Sequence, residues 1–86
     1  MEILKVSSKS NPNLVAGALV NILKENKEAE IHSIGAGALN QAIKSVAIAR
    51  GYLTPGGQDL TTTPSFLEVK IDNEIKTAIK LEISLI

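Results

Sequence analysis

The side chains able to do covalent chemistry in this 86-residue chain reduce to serines and one imidazole, His32, because the chain has no cysteine. A serine nucleophile needs a base, and the base needs a third group to hold it. His32 sits in Ala29-Glu30-Ile31-His32-Ser33-Ile34, which reads as a strand, and no carboxylate motif is read beside it. It is taken as a partly buried structural imidazole. No metal-ligand spacing accompanies it either. No catalytic residue, metal site or cofactor is therefore expected, and the chain reads as a non-enzyme. The turn Gly35-Ala36-Gly37 precedes a helical pattern, where backbone amides and the helix dipole attract anions. It lacks the third glycine of a dinucleotide fingerprint and the Lys-Ser or Lys-Thr of a phosphate loop. The same residues suit an ordinary strand-to-helix turn.

Binding chemistry rests on cations. Nine Lys and Arg balance nine Asp and Glu, a net charge of zero that argues against a basic coat for nucleic acid or membrane. Charge must then act where it clusters. Lys9, in Ser7-Ser8-Lys9-Ser10-Asn11, stands at the mouth of the first helix, where an ammonium, hydroxyls and free amides suit a phosphate or form a plain cap. Lys70, Lys76 and Lys80 lie on a C-terminal hairpin, where they suit a groove-probing arm or protect an exposed strand from aggregation. Lys44 and Arg50 are sparse on the second helix.

The elements that would position these groups follow from periodicity. Ile3 to Val6 reads as a first strand. Asn11 as cap and Pro12 at the first helical position start a helix, with Leu14, Val15, Ala18, Leu19, Ile22 and Leu23 as its inner face. Lys24 to Glu28 ends it, and Ala29 to Ile34 is the second strand. A second helix spans about Ala38 to Leu53, with Leu39, Ala42, Ile43, Val46 and Ala47 inward and Asn40, Gln41, Lys44 and Ser45 polar. Ile48, Ala49 and Tyr52 add apolar surface off that stripe, which favours a second subunit as neighbour and hence a homodimer. Thr54-Pro55-Gly56-Gly57 ends the helix.

Two alternating runs follow, and Pro64 marks Gln58 to Ser65 as an edge stretch or a bulge. A three-residue loop, Asp72 to Glu74, sets Ile71 opposite Ile75 and keeps both apolar sets on one face. That register puts Lys70 opposite Lys76 and Lys80 opposite Phe66. The order β-α-β-α-β-β predicts an α+β, two-layer sandwich, a mixed sheet with two helices on one face, in one domain over residues 1–86. Apolar residues make up 44% of the chain, and no stretch has the length of a membrane span or the pattern of a signal peptide. A cytoplasmic protein with no membrane partner is expected.

Three stretches resemble one family. They are Met1 to Ser7 with Asn11-Pro12-Asn13 and Val15-Ala16-Gly17-Ala18-Leu19; Ile34-Gly35-Ala36-Gly37-Ala38-Leu39-Asn40-Gln41-Ala42-Ile43-Lys44, continuing through Val46 to Gly51; and Thr77-Ala78-Ile79-Lys80-Leu81. Together they resemble the stage V sporulation protein S (SpoVS) family across essentially the whole chain. The resemblance implies an Alba-like fold, a role in sporulation or development, a dimer, and contact with DNA or RNA. It places the contacts on the loop from Ser8 to Asn11 with Lys9, on the helix entry from Gly35 to Asn40 with Lys44, and on the arm from Lys70 to Lys76; Lys80 as a further backbone contact and Gln41 as a polar partner beside Asn40 complete the expected set. Three departures weaken a coating role, the first being a hairpin that reads as short. Ala36 and Ala38 stand where Alba proteins carry arginines, and Lys9 is single where they usually carry a pair. The competing expectation is a module of the same fold that binds a regulatory protein and no nucleic acid.

Overall fold

Asn11 caps the first helix as its side chain dictates. In the structure, a computed structural model that describes residues 2–86, Asn11 Oδ1 accepts from the amides of Asn13 at 2.9 Å and Leu14 at 3.4 Å. Pro12 follows without an amide hydrogen, at a position where the helix does not need one, and α1 runs from Pro12 to Asn26. Lys27 closes it in the left-handed region, its amide donating to Leu23 O. The chain is then reversed into a strand.

The strands are β1 (Ile3–Val6), β2 (Glu28–Ser33), β3 (Leu60–Ile71) and β4 (Glu74–Leu85), with α2 at Ala36–Leu53 and a single 3-10 turn at Thr54–Gly56. The sheet order is β1-β2-β4-β3, with β1 parallel to β2 and the other pairs antiparallel. Both helices cover one face, giving the mixed α+β sandwich that the sequence implied. Pro64 lies in edge strand β3, where its missing amide breaks no ladder, and the pairing runs past it without a bulge. Among the described residues no helix is long and apolar enough to cross a membrane.

The core is aliphatic: Leu19 and Leu23 of α1, Ile31 of β2, Leu53 of α2, and Leu81 and Ile83 of β4 are all essentially inaccessible. Truncating any one to alanine should cost about 2–5 kcal/mol. Both aromatic residues lie outside it, Tyr52 at 63% and Phe66 at 79% exposure.

The inner faces of the helices differ from what periodicity suggests. On α1, Ala16 and Val20 are buried while Leu14 is exposed. On α2, Ala38, Ala42, Ser45, Val46, Ala49 and Leu53 are buried, whereas Ile43 and Ala47 face out. The face pressed against its neighbours is built largely from small residues, which let backbones approach. Ser45 enters that face because its hydroxyl donates to Gln41 O, one turn back, at 2.7 Å.

The hairpin also departs from expectation. Its loop has two residues, Asp72 and Asn73, with φ of 50° and 64°, the signature of a type I′ turn that matches strand twist. Ile71 therefore pairs with Glu74, Lys70 with Ile75 and Val69 with Lys76. Burial did not select this register, because the tip projects past the last β2–β4 pair, Ser33 with Ile79. Directly paired residues share a face, so Lys70 and Lys76 point to opposite faces of the arm rather than standing side by side. Lys80 lies opposite Ser65, not Phe66. The molecule is elongated along this arm, 44 × 22 × 17 Å.

Candidate functional site

The loop from Ser7 to Ser10 organises itself before it meets anything else. Ser10 Oγ accepts from Ser7 N at 2.9 Å, Ser7 Oγ accepts from Lys9 N at 3.2 Å, and Ser10 N donates to Ser7 O at 3.1 Å. Two of the three hydroxyls are thus spent on holding the turn, leaving Lys9 exposed at its tip.

This turn is fixed to the start of α2. Gly37 has no side chain, and a Cβ there would come within 3.0 Å of Ser8 Cβ. From the next turn of α2, Gln41 Nε2 donates to Ser10 O at 3.0 Å. Gln41 therefore positions the loop rather than facing outward as a free amide, while Asn40 and Lys44 remain exposed on the same helix. Gly35 adopts φ 90° and ψ 159° at the α2 start, with no side-chain cap and no acidic residue in the first turn. The first amides of α2, at Ala36 and Gly37, thus open beside the loop. Lys9, Asn40 and Lys44 are brought onto one connected surface.

The arm reaches the same end of the molecule. Val69, Lys70 and Ile71 line a cleft whose other walls include Ser7 and Ser8. The arm lysines nevertheless differ in their surroundings. Among the described residues Lys9, Lys44 and Lys70 enter no ion pair, and Lys76 Nζ lies 3.9 Å from Glu74 Oε2. Lys80 Nζ lies 3.4 Å from Glu82 Oε1 and 3.8 Å from Glu30 Oε1. Glu30 also accepts His32 at 3.5 Å. The imidazole that the sequence left without a carboxylate has one two residues back on its own strand face, and Lys80 belongs to that internally compensated group.

At the far end of α2, Arg50 donates twice to Asp59, at 2.8 and 3.1 Å. This bond, together with the Leu60 amide on Asp59 Oδ1 at 2.8 Å, holds the Asp59 carboxyl down at about 2. Arg50 is therefore committed to joining α2 to the entry of β3. Among the described residues no three His, Asp or Glu gather as a metal site.

The sequence carries one further signal that motif and periodicity do not pick out. There is no Asp or Glu from Ile3 to Lys24 or from Ile31 to Gln58. These two acid-free segments carry the loop, α1's start and all of α2, whose far end meets a carboxylate from outside them, Asp59 on Arg50.

A four-stranded mixed sheet, two helices on one face and a projecting hairpin define an Alba-like fold. The structure aligns with Alba from Thermoplasma volcanium at a TM-score of 0.64, over 96% of each chain, with 18% sequence identity. At that identity the likeness is one of fold. The chain belongs to the stage V sporulation protein S (SpoVS) family, whose model matches residues 2–86. That membership implies a sporulation-related role.

Proposed function

We propose that this protein is a dimeric, cytoplasmic, non-catalytic regulator that binds DNA or RNA through the phosphate backbone. The observation that carries the reading is the connection of the Lys9 turn to the α2 start through Ser8–Gly37 and Gln41–Ser10. It presents Lys9 and Lys44 as free cations beside Asn40 and the amides at Gly35, Ala36 and Gly37, on segments that carry no Asp or Glu. Phosphate contacts of this kind position a protein on nucleic acid without reading its sequence. Lys70 and Lys76 reach out on the arm, one from each face. Lys80 is left out of the contact set, since Glu30 and Glu82 already balance it.

A dimer would double this small set of cations. Ile43 at 48% exposure, with Ala47 one turn later and Tyr52, gives α2 an apolar outer surface that suits a second copy. The test is fluorescence anisotropy of labelled duplex DNA and RNA over a salt series, alongside sedimentation of the free protein and an Ile43→Glu variant. Salt-weakened binding and a dimer lost in the variant are expected. No binding at low salt would overturn the nucleic-acid reading.

A second reading is favoured by one face of the arm. Phe66 and Ile75, 79% and 71% exposed, share that face. An apolar pair so exposed fits a protein partner, and capture of that partner unaffected by Lys9→Glu would favour this reading.

A further inference from the structure

On the side of the sheet away from the helices, the ends of β1 and β2, the Ser7–Ser8 turn and the inner curve of the arm enclose a cleft of about 390 Å³. Small-molecule sites run from roughly 300 to 1,000 Å³ and are mainly apolar with a few placed polar groups. This cleft has that character. Val69, Ile71 and Ala78 from the arm and Ile34 after β2 form its apolar walls, while Lys5 and His32 supply cationic or titratable groups and Lys70, between Val69 and Ile71, turns its side chain to the other face of the arm. Its lining contains no Asp or Glu.

The charges decide what could occupy it. Among the described residues neither Lys5 nor Lys70 has an ion-pair partner. The nearby carboxylate of Glu30 is already engaged by His32 and Lys80. A cationic occupant would meet the uncompensated Lys5, and a bare inorganic anion would leave the apolar walls unused. We propose that the cleft binds a small amphipathic anion, of which a short aliphatic carboxylate is the simplest form. Its head lies at Lys5, with Ser7 and Ser8 as hydroxyl donors, and its aliphatic body lies against Val69, Ile71, Ala78 and Ile34. The proposal stands apart from the nucleic-acid reading, because Lys9 and Lys44 are outside the lining.

Hexanoate is the probe, followed through backbone amide shifts in NMR, with acetate as a head without a body and hexylammonium as a body with the opposite charge. Hexanoate is expected to give saturable shifts at Lys5, Ser7, His32, Val69 and Ala78, with both controls weaker by about tenfold or more, as expected for losing one charged hydrogen bond or its apolar complement. Lys5→Glu, at an exposed edge-strand position, should weaken hexanoate by a similar factor, while Lys44→Glu leaves it unchanged. Should the change at Lys5 disturb β1, the milder Lys5→Gln makes the same comparison. The proposal is overturned if those amides do not move, if acetate or hexylammonium binds as tightly, or if a folded Lys5 variant retains full affinity.

Discussion

Ser8 and Gly37 meet closely enough that a Cβ on residue 37 would crowd the loop, standing 3.0 Å from Ser8 Cβ. The contact seats the Lys9 turn on α2, and the Gln41–Ser10 bond holds it from one turn farther along. The cation at the mouth of α1, Lys9, is thereby seated beside the half of α2 that carries Lys44 through two specific contacts.

Gly37→Ala should consequently show coupling with Ser8. In an open helix position alanine gains about 1 kcal/mol over glycine. Here the clash should cancel that gain, whereas in a Ser8→Gly background it should reappear as a higher melting temperature. A double-mutant cycle by chemical denaturation measures the difference. Additive effects of the two substitutions would show that the loop and helix are not in contact.

The arm turn makes a second prediction. Asp72 and Asn73 both have positive φ, a conformation that asparagine tolerates and β-branched residues resist. Asn73→Gly should stabilise the protein slightly, and Asn73→Val should cost about 1–2 kcal/mol. Cross-strand nuclear Overhauser contacts between Lys70 and Ile75 would report the register directly, and contacts between Lys70 and Lys76 would contradict it.

The difference between expectation and structure at this turn has a physical cause. Alternation fixes register only where one face is buried, and the tip beyond Ser33 and Ile79 has no such face. There the local preference of two residues for positive φ decided the loop length. At Asn11-Pro12 the opposite held: cap chemistry is local, and the helix starts where those two side chains place it. The order of elements along the chain and the two-layer build were legible from alternation and helical spacing. The inner faces of α1 and α2 were less so, since large aliphatic side chains dominate the periodic pattern while Ala16, Ala42, Ser45 and Ala49 make the close contacts. Lys9 and Lys44 were legible as candidates, but their connection depends on an absent side chain at Gly37, which no periodicity reveals.

A pH prediction follows from Arg50 and Asp59. The guanidinium bond and the Leu60 amide hold the folded carboxyl at about 2, below its unfolded value of about 3.9. Because the folded value is the lower one, the pair's contribution is fully present above pH 4 or so and is lost as pH falls from about 4 toward 2. Carbon-detected NMR titration should place Asp59 near the low end of that window. Arg50→Gln should move it up toward ordinary carboxylates and flatten the acid limb of the stability curve. An unchanged Asp59 midpoint in the variant would contradict the pairing.

Lys80 separates structural from binding cations. Removing it leaves Glu30 and Glu82 without their shared ammonium. Lys80→Ala is therefore expected to destabilise the protein by up to about 1 kcal/mol, read by thermal melts. Nucleic-acid affinity should stay within about twofold, since the lysines that would meet phosphate are all intact. A fall in affinity as large as that from Lys9→Ala, in folded protein, would return Lys80 to the contact set.

The most direct measurement is the salt dependence of nucleic-acid binding for the native protein and for Lys9→Ala with Lys44→Ala. Native protein should bind at low salt, with affinity falling linearly on logarithmic axes. Every phosphate left without its lysine should flatten that slope by about 0.7 for a single strand or about 0.9 for B-form DNA, so the double variant should bind more weakly and with a shallower slope. No binding by the native protein at low salt, or a slope left unchanged by removing both lysines, would contradict the account.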